Sequence, residues 1–195
     1  MKSKGYYIVN AITAYRIVAA PALVILALTG NLSVFKWLLP VSFLTDLIDG
    51  TLARKLNVTS VFGSKLDSIG DDLSFVAAAV GIFAFKFDFV KSNILWIALL
   101  VGLYLFQTIT ALIKYGKITS YHTYLAKTAA ILQGCFLIIL FILPEPVYWL
   151  FYAASILTIF DIIEEIIILF YLPTWEADVK GLYWVMQKKS GKRNG

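Results

Sequence analysis

Two consecutive apolar stretches that carry acidic residues decide the fold: SVFKWLLPVSFLTDLIDGTLA, residues 33–53, and DSIGDDLSFVAAAVGIFAFK, residues 67–86. Each is long enough to cross a bilayer, whose apolar core takes about 20 residues of helix. Four more such stretches lie at 12–30, 92–114, 124–143 and 147–171. The pattern predicts an all-α polytopic membrane protein with six transmembrane helices. Arg16 interrupts the first apolar run, so we interpret the basic N-terminus as a short interfacial helix and not as a signal peptide.

The composition agrees with this interpretation. Of the 195 residues, 60% are hydrophobic and 15% are charged, whereas soluble domains have about 45–50% apolar and about 25% charged residues. The single Cys135 and the single His122 exclude a disulfide framework and metal sites built from Cys or His. The net charge of +5 suits anionic lipid better than nucleic acid, because the chain is so apolar. We expect one transmembrane domain over residues 1–195 and no nucleic-acid partner.

Lysine and arginine are distributed unevenly over the predicted loops. Lys36, Lys86 and Lys91 fall on one side of the membrane, and all other Lys and Arg residues fall on the opposite side. The positive-inside rule makes that opposite side cytoplasmic and places both termini there. Residues 174–195 are then a cytoplasmic basic tail, whose end either lies on anionic headgroups or is solvated. This topology suits a bacterial inner membrane, and an organelle membrane is the alternative.

Acidic residues are concentrated at the cytoplasmic ends of the second and third predicted spans. Asp46 and Asp49, at i and i+3, share one face of a helix. Asp67 and Asp71, at i and i+4, share one face of the next helix, whereas Asp72 points away. If the two helices are antiparallel neighbours, four carboxylates converge and repel one another unless cations bind. Oxygen ligands favour Mg²⁺ or Mn²⁺, and four carboxylates can hold two such ions.

Small residues and one arginine lie between the acidic pairs. Gly50 and Ala53 allow a ligand to approach the backbone closely. Arg54 offers a planar fork that suits a phosphate, and Gly63 begins the third span with free backbone N–H groups. Each feature alone is equally well explained by helix packing or by topology. Their combination with the carboxylates is what indicates phosphoryl chemistry.

The complete pattern is Asp46-x-x-Asp49-Gly50-x-x-Ala53-Arg54, eight residues, then Gly63-x-x-x-Asp67-x-x-x-Asp71. It resembles the signature of the CDP-alcohol phosphatidyltransferase family, an integral membrane family, at every fixed position. The resemblance implies a transferase that moves the phosphatidyl group of CDP-diacylglycerol to the hydroxyl of a small polar acceptor and releases CMP. It implies a homodimer with the site open to the cytoplasm. The segment Asn10-x-x-Thr13-x-x-Arg16 is similar to the first helix of family members.

The resemblance also implies roles for individual residues. Two Mg²⁺ or Mn²⁺ ions would be bound by Asp46, Asp49, Asp67 and Asp71. Asp71 would in addition be the general base for the acceptor hydroxyl. CDP would be bound by Gly50, Ala53, Arg54 and Gly63.

The acceptor stays open among serine, inositol phosphate and glycerol 3-phosphate. Asp67-Ser68 and Asp71-Asp72 differ from the Asp-Pro and the following Lys that phosphatidylglycerophosphate synthases usually show. The stretch is more similar to phosphatidylserine synthases and to members that use inositol phosphate. The acceptor-side candidates are Lys65, Lys114, Lys117, His122 and Lys127, with residues 120–124 as a wall of the pocket. The simpler interpretation is that the lysines are topology charges and that His122 is an interfacial residue.

A second acidic group, Asp161, Glu164 and Glu165, lies in the last predicted span. It either lines the acceptor pocket or forms structural ion pairs, with Lys127 or Arg16 as partners. The same family with a CDP-activated headgroup donor and a diradylglycerol acceptor is an alternative function. A transporter that uses ions or protons, and a non-catalytic scaffold, are alternatives from other classes. Neither of these two explains why Gly50, Ala53 and Arg54 stand at fixed offsets from the aspartates.

Overall fold

The computed structural model describes residues 4–56, 58 and 61–191, and this part of the chain forms eight α-helices. They are α1 Lys4–Leu28, α2 Leu32–Lys55, α3 Val61–Phe85, α4 Phe87–Ser92, α5 Ile94–Tyr115, α6 Tyr124–Ile142, α7 Tyr148–Tyr171 and α8 Leu182–Gly191. Among the described residues the extended pairing consists of one isolated parallel bridge, Ser120 with Ala177. The prediction of an all-α protein is confirmed for this part. The side chains at 4, 8, 46–47, 50–51, 53–54, 61–65, 67–68, 71–72 and 189–191 lie outside the description.

Six of the helices coincide with the six predicted spans. Three of them are long and apolar enough to cross a membrane: Gly5–Leu28, Ile94–Tyr115 and Tyr124–Ile142. The other three, α2, α3 and α7, each carry at least three charged residues. In α2 and α3 the apolar part is shorter, Leu32–Thr45 and Leu73–Phe85. The chain is an integral membrane protein, and the count of six crossings stays a prediction.

The N-terminal helix differs from the expectation. A short interfacial helix separate from the first span is predicted, but α1 runs without a break from Lys4 to Leu28. No helix-breaking residue separates the two predicted parts, because Pro21 lies further along the chain. The prediction of a separate helix is therefore wrong. One continuous helix carries Thr13 and Arg16 into the apolar region.

The predicted breaks between helices are confirmed at three places. Gly30 ends α1 with a positive φ of 74°, a conformation that glycine adopts without strain. Asn31 then accepts a hydrogen bond from the Val34 N–H on its Oδ1 at 3.3 Å, and so caps α2. Gly116 ends α5 in the left-handed region, and the segment with Pro144 and Pro146 separates α6 from α7.

The packing of the helices divides the chain into two units. The first contains the residues up to Ser92 together with Leu137–Glu145. Within it, α1 packs closely against both α3 and α2, which also contact each other. The buried core is built from large side chains facing small ones, and its members are Ala20, Leu23, Ala27, Phe35, Leu39, Ala77, Ala78 and Phe141. Small residues matter here because helices in lipid associate through close packing and not through the hydrophobic effect.

The second unit contains Asn93–Phe136 and the residues from Pro146 onward. Here α5 packs against α7, and α7 packs against α8. The region 174–195, predicted as a basic tail, includes α8, and Val185 of this helix is buried in the core of the unit. The loops before α6 and before α8 are joined by the Asp178 N–H, which donates to the Ser120 carbonyl at 3.0 Å. The sequence pattern does not predict α4 or α8, because both are too short to show a clear periodicity.

Gly81 on α3 makes room for the ring of Phe35 on α2. Phe35 is fully buried, and a β-carbon at position 81 would overlap its ring. The ring is held on its other sides by Phe85 and Phe141, whose ring centroids lie 5.2 and 4.8 Å from its own. Phe85 and Phe141 therefore oppose movement of the Phe35 ring away from position 81.

We expect Gly81→Ala to destabilise the protein by about 1–3 kcal/mol, the usual cost of overpacking a core. Gly102→Ala is the matched control, because a β-carbon on this helical glycine would meet nothing within 4 Å. Both substitutions gain the same helix propensity of about 1 kcal/mol, so the difference between them isolates the overlap with Phe35. Thermal unfolding in detergent, followed by tryptophan fluorescence, measures this difference in stability. Equal melting temperatures for the two variants would contradict the packing described here.

Candidate active site

The eight signature positions lie on two consecutive helices of the first unit. Residues 46, 49, 50, 53 and 54 belong to the C-terminal half of α2, and residues 63, 67 and 71 to the N-terminal half of α3. These helices are in contact. Only Asp49 among the eight has a described side chain, and the side chains of Asp46, Gly50, Ala53, Arg54, Gly63, Asp67 and Asp71 lie outside the description. Convergence of the four carboxylates thus stays a prediction. The described residues contain no group of three or more His, Cys, Asp or Glu that could hold a metal ion.

Asp49 is buried and is contacted by two donors from α1. Its exposed fraction is 2%. The Thr13 hydroxyl lies 2.7 Å from Asp49 Oδ2, and Arg16 Nη2 lies 3.3 Å from the same oxygen. Arg16 is itself only 1% exposed, so the two charged side chains form a buried ion pair between α1 and α2.

Two acceptors lie within hydrogen-bonding distance of the Thr13 hydroxyl. It lies 3.1 Å from the Val9 carbonyl oxygen, one turn earlier in α1, and 2.7 Å from Asp49 Oδ2. A hydroxyl has one proton to donate. The shorter contact is to an acidic side chain, and hydrogen bonds to charged acceptors are the stronger ones. Thr13 therefore donates to Asp49.

Helix α3 approaches Arg16 at a glycine. Gly70 is buried, and a β-carbon there would lie 3.5 Å from Cβ, Nε and Cζ of Arg16. The Arg16 side chain thus lies directly against the backbone of α3, between signature positions 67 and 71. Ser74, one turn later on α3, is 3% exposed, and its hydroxyl has no hydrogen-bond partner within the described residues.

Sequence reasoning missed this group of contacts. Thr13 is noted there only for its resemblance to a family pattern, Arg16 is named as a partner of the acids in the last span, and Gly70 is not singled out. A signal was available in the sequence, because an arginine within an apolar span requires a partner. The sequence offers several carboxylates as that partner, and only the folded chain selects Asp49.

The acceptor-side candidates with described side chains lie in the second unit. Lys114 Nζ donates to the Leu169 carbonyl at 2.8 Å. Lys117 and Lys127 lie over aromatic rings, 5.2 Å from the Trp175 centroid and 5.6 Å from the Tyr124 centroid. These contacts are typical of cations that stabilise a local fold. The Lys65 side chain lies outside the described part.

The stretch predicted as a wall of the acceptor pocket is only partly accessible. His122 is exposed, and its Nε2 lies 3.7 Å from Asp178 Oδ1. Thr123 and Tyr121 are buried, and burial raises the pKa of the Tyr121 phenol. Of the three, His122 is therefore the one that a soluble acceptor could reach. Its role in acceptor binding stays a prediction.

The second acidic group on α7 accepts hydrogen bonds from three parts of the second unit. Glu165 Oε2 accepts from Gln107 Nε2 of α5 at 2.8 Å. Asp161 Oδ1 accepts from the Thr123 hydroxyl at 3.4 Å. Glu164 Oε1 accepts from the Leu182 N–H at 2.9 Å, where α8 begins. These contacts favour a structural role, in which α7 holds α5, the loop before α6 and α8.

Comparison with known proteins identifies the family. The sequence model for CDP-alcohol phosphatidyltransferase matches residues 6–163, a range that includes every signature position and both α1 residues that contact Asp49. The chain belongs to the CDP-alcohol phosphatidyltransferase family, a class of enzymes that use divalent metal ions. No solved structure matches the chain.

One relative is the CDP-diacylglycerol–inositol 3-phosphatidyltransferase of Saccharomyces cerevisiae. It is 39% identical over 66 residues, which are 34% of this chain and 30% of the yeast protein. The similarity thus spans less than a third of the yeast protein. It therefore supports the enzyme class, and it leaves the acceptor of this chain open.

We expect Glu164→Ala to loosen the start of α8, because the Leu182 N–H loses its acceptor. Loss of a helix cap costs about 1 kcal/mol, so hydrogen exchange in residues 182–187 should become roughly five- to tenfold faster. Glu164→Gln keeps an acceptor oxygen and should restore most of the protection. Glu145→Ala, at an exposed position, is the control. Unchanged exchange in Glu164→Ala would show that this contact does not hold α8.

Proposed function

We propose that this protein transfers the phosphatidyl group of CDP-diacylglycerol to the hydroxyl of a small polar acceptor and releases CMP. The observation that carries the proposal is the family match over residues 6–163. All eight signature positions fall within this range, on two helices in contact. A transporter or a scaffold is not expected to share this combination of carboxylates, glycines and arginine.

Asp46, Asp49, Asp67 and Asp71 are the proposed ligands of two divalent cations, Mg²⁺ or Mn²⁺. The donor set fits hard cations, because it consists of carboxylate oxygens. Asp49 supports this fit, since ligating carboxylates are commonly oriented by hydrogen bonds from outer residues, and Asp49 has two such donors. When bound, the cations would offset the negative charge of the diphosphate and of the departing CMP.

The other signature residues bind the nucleotide in this proposal. Gly50, Ala53 and Gly63 let CDP approach the backbone, and the Arg54 guanidinium pairs with a phosphate. The acceptor oxygen attacks the phosphorus that carries diacylglycerol, and Asp71 takes its proton. The bond from that phosphorus to the bridging oxygen breaks, and CMP leaves with this oxygen. The atoms balance as one new phosphodiester and one CMP for each donor and acceptor.

Inositol or inositol phosphate is the acceptor that we place first. The yeast relative is named for inositol, and the Asp67-Ser68 and Asp71-Asp72 pairs depart from the glycerophosphate-using pattern. Serine and glycerol 3-phosphate are the other acceptors of this proposal. A phosphorylated acceptor would need cations, for which Lys65, Lys114, Lys117, His122 and Lys127 are the candidates. A CDP-activated headgroup donor with a diradylglycerol acceptor is the alternative within the family.

The proposed setting is a bacterial inner membrane with the site and both termini in the cytoplasm. The distribution of Lys and Arg supports this orientation. Such a site lets the lipid donor enter from the bilayer while the acceptor arrives from water. We further propose one transmembrane domain with residues 174–195 on the cytoplasmic face, and a homodimer as the assembly.

The acceptor is tested with purified protein, CDP-diacylglycerol and either Mg²⁺ or Mn²⁺. We expect CMP release only when the matching alcohol is present in a panel of inositol, inositol phosphate, serine and glycerol 3-phosphate. Chromatography of CMP measures the product. If no alcohol in the panel supports release, but a CDP-activated headgroup with diradylglycerol does, the direction of transfer proposed here is wrong.

The site is tested by replacing carboxylates with amides of the same size. We expect Asp67→Asn and Asp71→Asn each to lower CMP release at least about 100-fold, as loss of a metal ligand or a base does. Asp72→Asn is the neighbouring control and should keep activity within about threefold, since helical spacing predicts that residue 72 lies off the face shared by 67 and 71. Equal losses in all three variants would contradict the assignment.

A further inference from the structure

We propose that Thr13 and Arg16 of α1 form a positioning pair that orients the Asp49 carboxylate for cation binding. The inference rests on the proposed function, because it takes Asp49 as a metal ligand. It assigns to the first helix a part in the site that the signature on α2 and α3 does not contain. The pair is defined by the contacts of Thr13 Oγ1 and Arg16 Nη2 with Asp49 Oδ2.

Both donors reach the same carboxylate oxygen from adjacent turns of one helix. Thr13 and Arg16 are three residues apart, so they lie on one face of α1. Two donors that converge on Oδ2 restrict rotation of the Asp49 carboxylate about its Cβ–Cγ bond. The Thr13 contact of 2.7 Å is within the range of a strong hydrogen bond, whereas the Arg16 contact of 3.3 Å is longer than the usual 2.7–2.9 Å of a charged pair. Thr13 therefore does more to set the orientation, and Arg16 supplies positive charge.

Arg16 is confined by its surroundings. Arg16 lies in the middle of α1 and is 1% exposed, whereas an arginine near the end of a span usually extends its side chain to the membrane surface. Its side chain lies against α3 at Gly70, where a β-carbon would be 3.5 Å from Cβ, Nε and Cζ of Arg16. Breaking a buried pair by removing one partner costs several kcal/mol. Arg16 is thus held at the place where α1, α2 and α3 meet.

Two opposing effects make the proposal testable. The positive charge of Arg16 repels a cation, so its removal alone should tighten cation binding. Loss of an orienting contact instead weakens metal affinity, typically 10- to 100-fold for residues that hold a ligand in place. The positioning role predicts that the second effect is larger. The Thr13 hydroxyl carries no charge, so only the second effect applies to its loss.

The test measures Mn²⁺ affinity of the full-length protein in detergent without substrate, from the signal of free Mn²⁺ in electron paramagnetic resonance. We expect Thr13→Val to weaken Mn²⁺ binding about 10-fold or more, since valine has the same shape and no hydroxyl. Thr13→Ser should bind Mn²⁺ within about threefold of the wild type. Arg16→Met should also weaken binding, and Arg16→Lys should fall between Arg16→Met and the wild type.

Thr110→Val is the matched control, because the Thr110 hydroxyl bonds to the Phe106 carbonyl one turn earlier, as a helical threonine commonly does. It should leave Mn²⁺ affinity unchanged. CMP release by Thr13→Val should recover as Mn²⁺ is raised, whereas a merely misfolded variant would not recover. If Arg16→Met unfolds, the Thr13 variants still decide the question.

The failure of this inference is distinguishable from failure of the proposed function. If the wild type binds Mn²⁺ and releases CMP while Thr13→Val binds Mn²⁺ equally well, the positioning pair is refuted and the function stands. Tighter Mn²⁺ binding by Arg16→Met would likewise overturn the positioning role of Arg16. If the wild type neither binds Mn²⁺ nor releases CMP, the proposed function itself fails.

Discussion

The buried contact between Arg16 and Asp49 constrains how α1 and α2 pack in the first unit. Both side chains are almost completely removed from solvent, and an isolated charge in such a place would cost many kcal/mol. The pair forms only if α1 and α2 are held at one depth and one rotation. Gly70 adds the third helix, because the Arg16 side chain lies against the backbone of α3 at this position. The small residues further along α1 and α3 then let these helices stay close over their remaining length.

The described carboxylates of α2 and α7 have different environments. In the first unit, Asp49 is paired with the buried guanidinium of Arg16 and the hydroxyl of Thr13. In the second unit, the acids of α7 accept hydrogen bonds from an amide side chain, a hydroxyl and a backbone N–H. These neutral donors join neighbouring segments of the second unit to α7. The partners of each group, more than its residue type, separate a candidate catalytic cluster from a structural one.

Function and membrane insertion place opposite demands on α2 and α3. The signature puts charged residues into the C-terminal half of one helix and the N-terminal half of the next, which leaves shorter apolar segments in each, Leu32–Thr45 and Leu73–Phe85. Helix α1 meets the two demands differently, since it is apolar enough to span and still carries Arg16. The arginine does not prevent α1 from spanning the membrane, because its side chain is buried against protein and not exposed to lipid. The family match begins at residue 6 and so includes most of α1.

The sequence by itself determined where the long helices lie and which residues form the signature, because apolar runs and fixed spacings are local properties of a chain. It also predicted the turns at Gly30 and Gly116, where glycine is needed for a positive φ. Only the tertiary structure decided that Arg16 pairs with Asp49, that Arg16 packs against Gly70, and that the Leu182 N–H at the start of α8 donates to Glu164. These contacts join residues far apart in the chain, and helical periodicity specifies the face on which a residue lies but not the helix that this face meets.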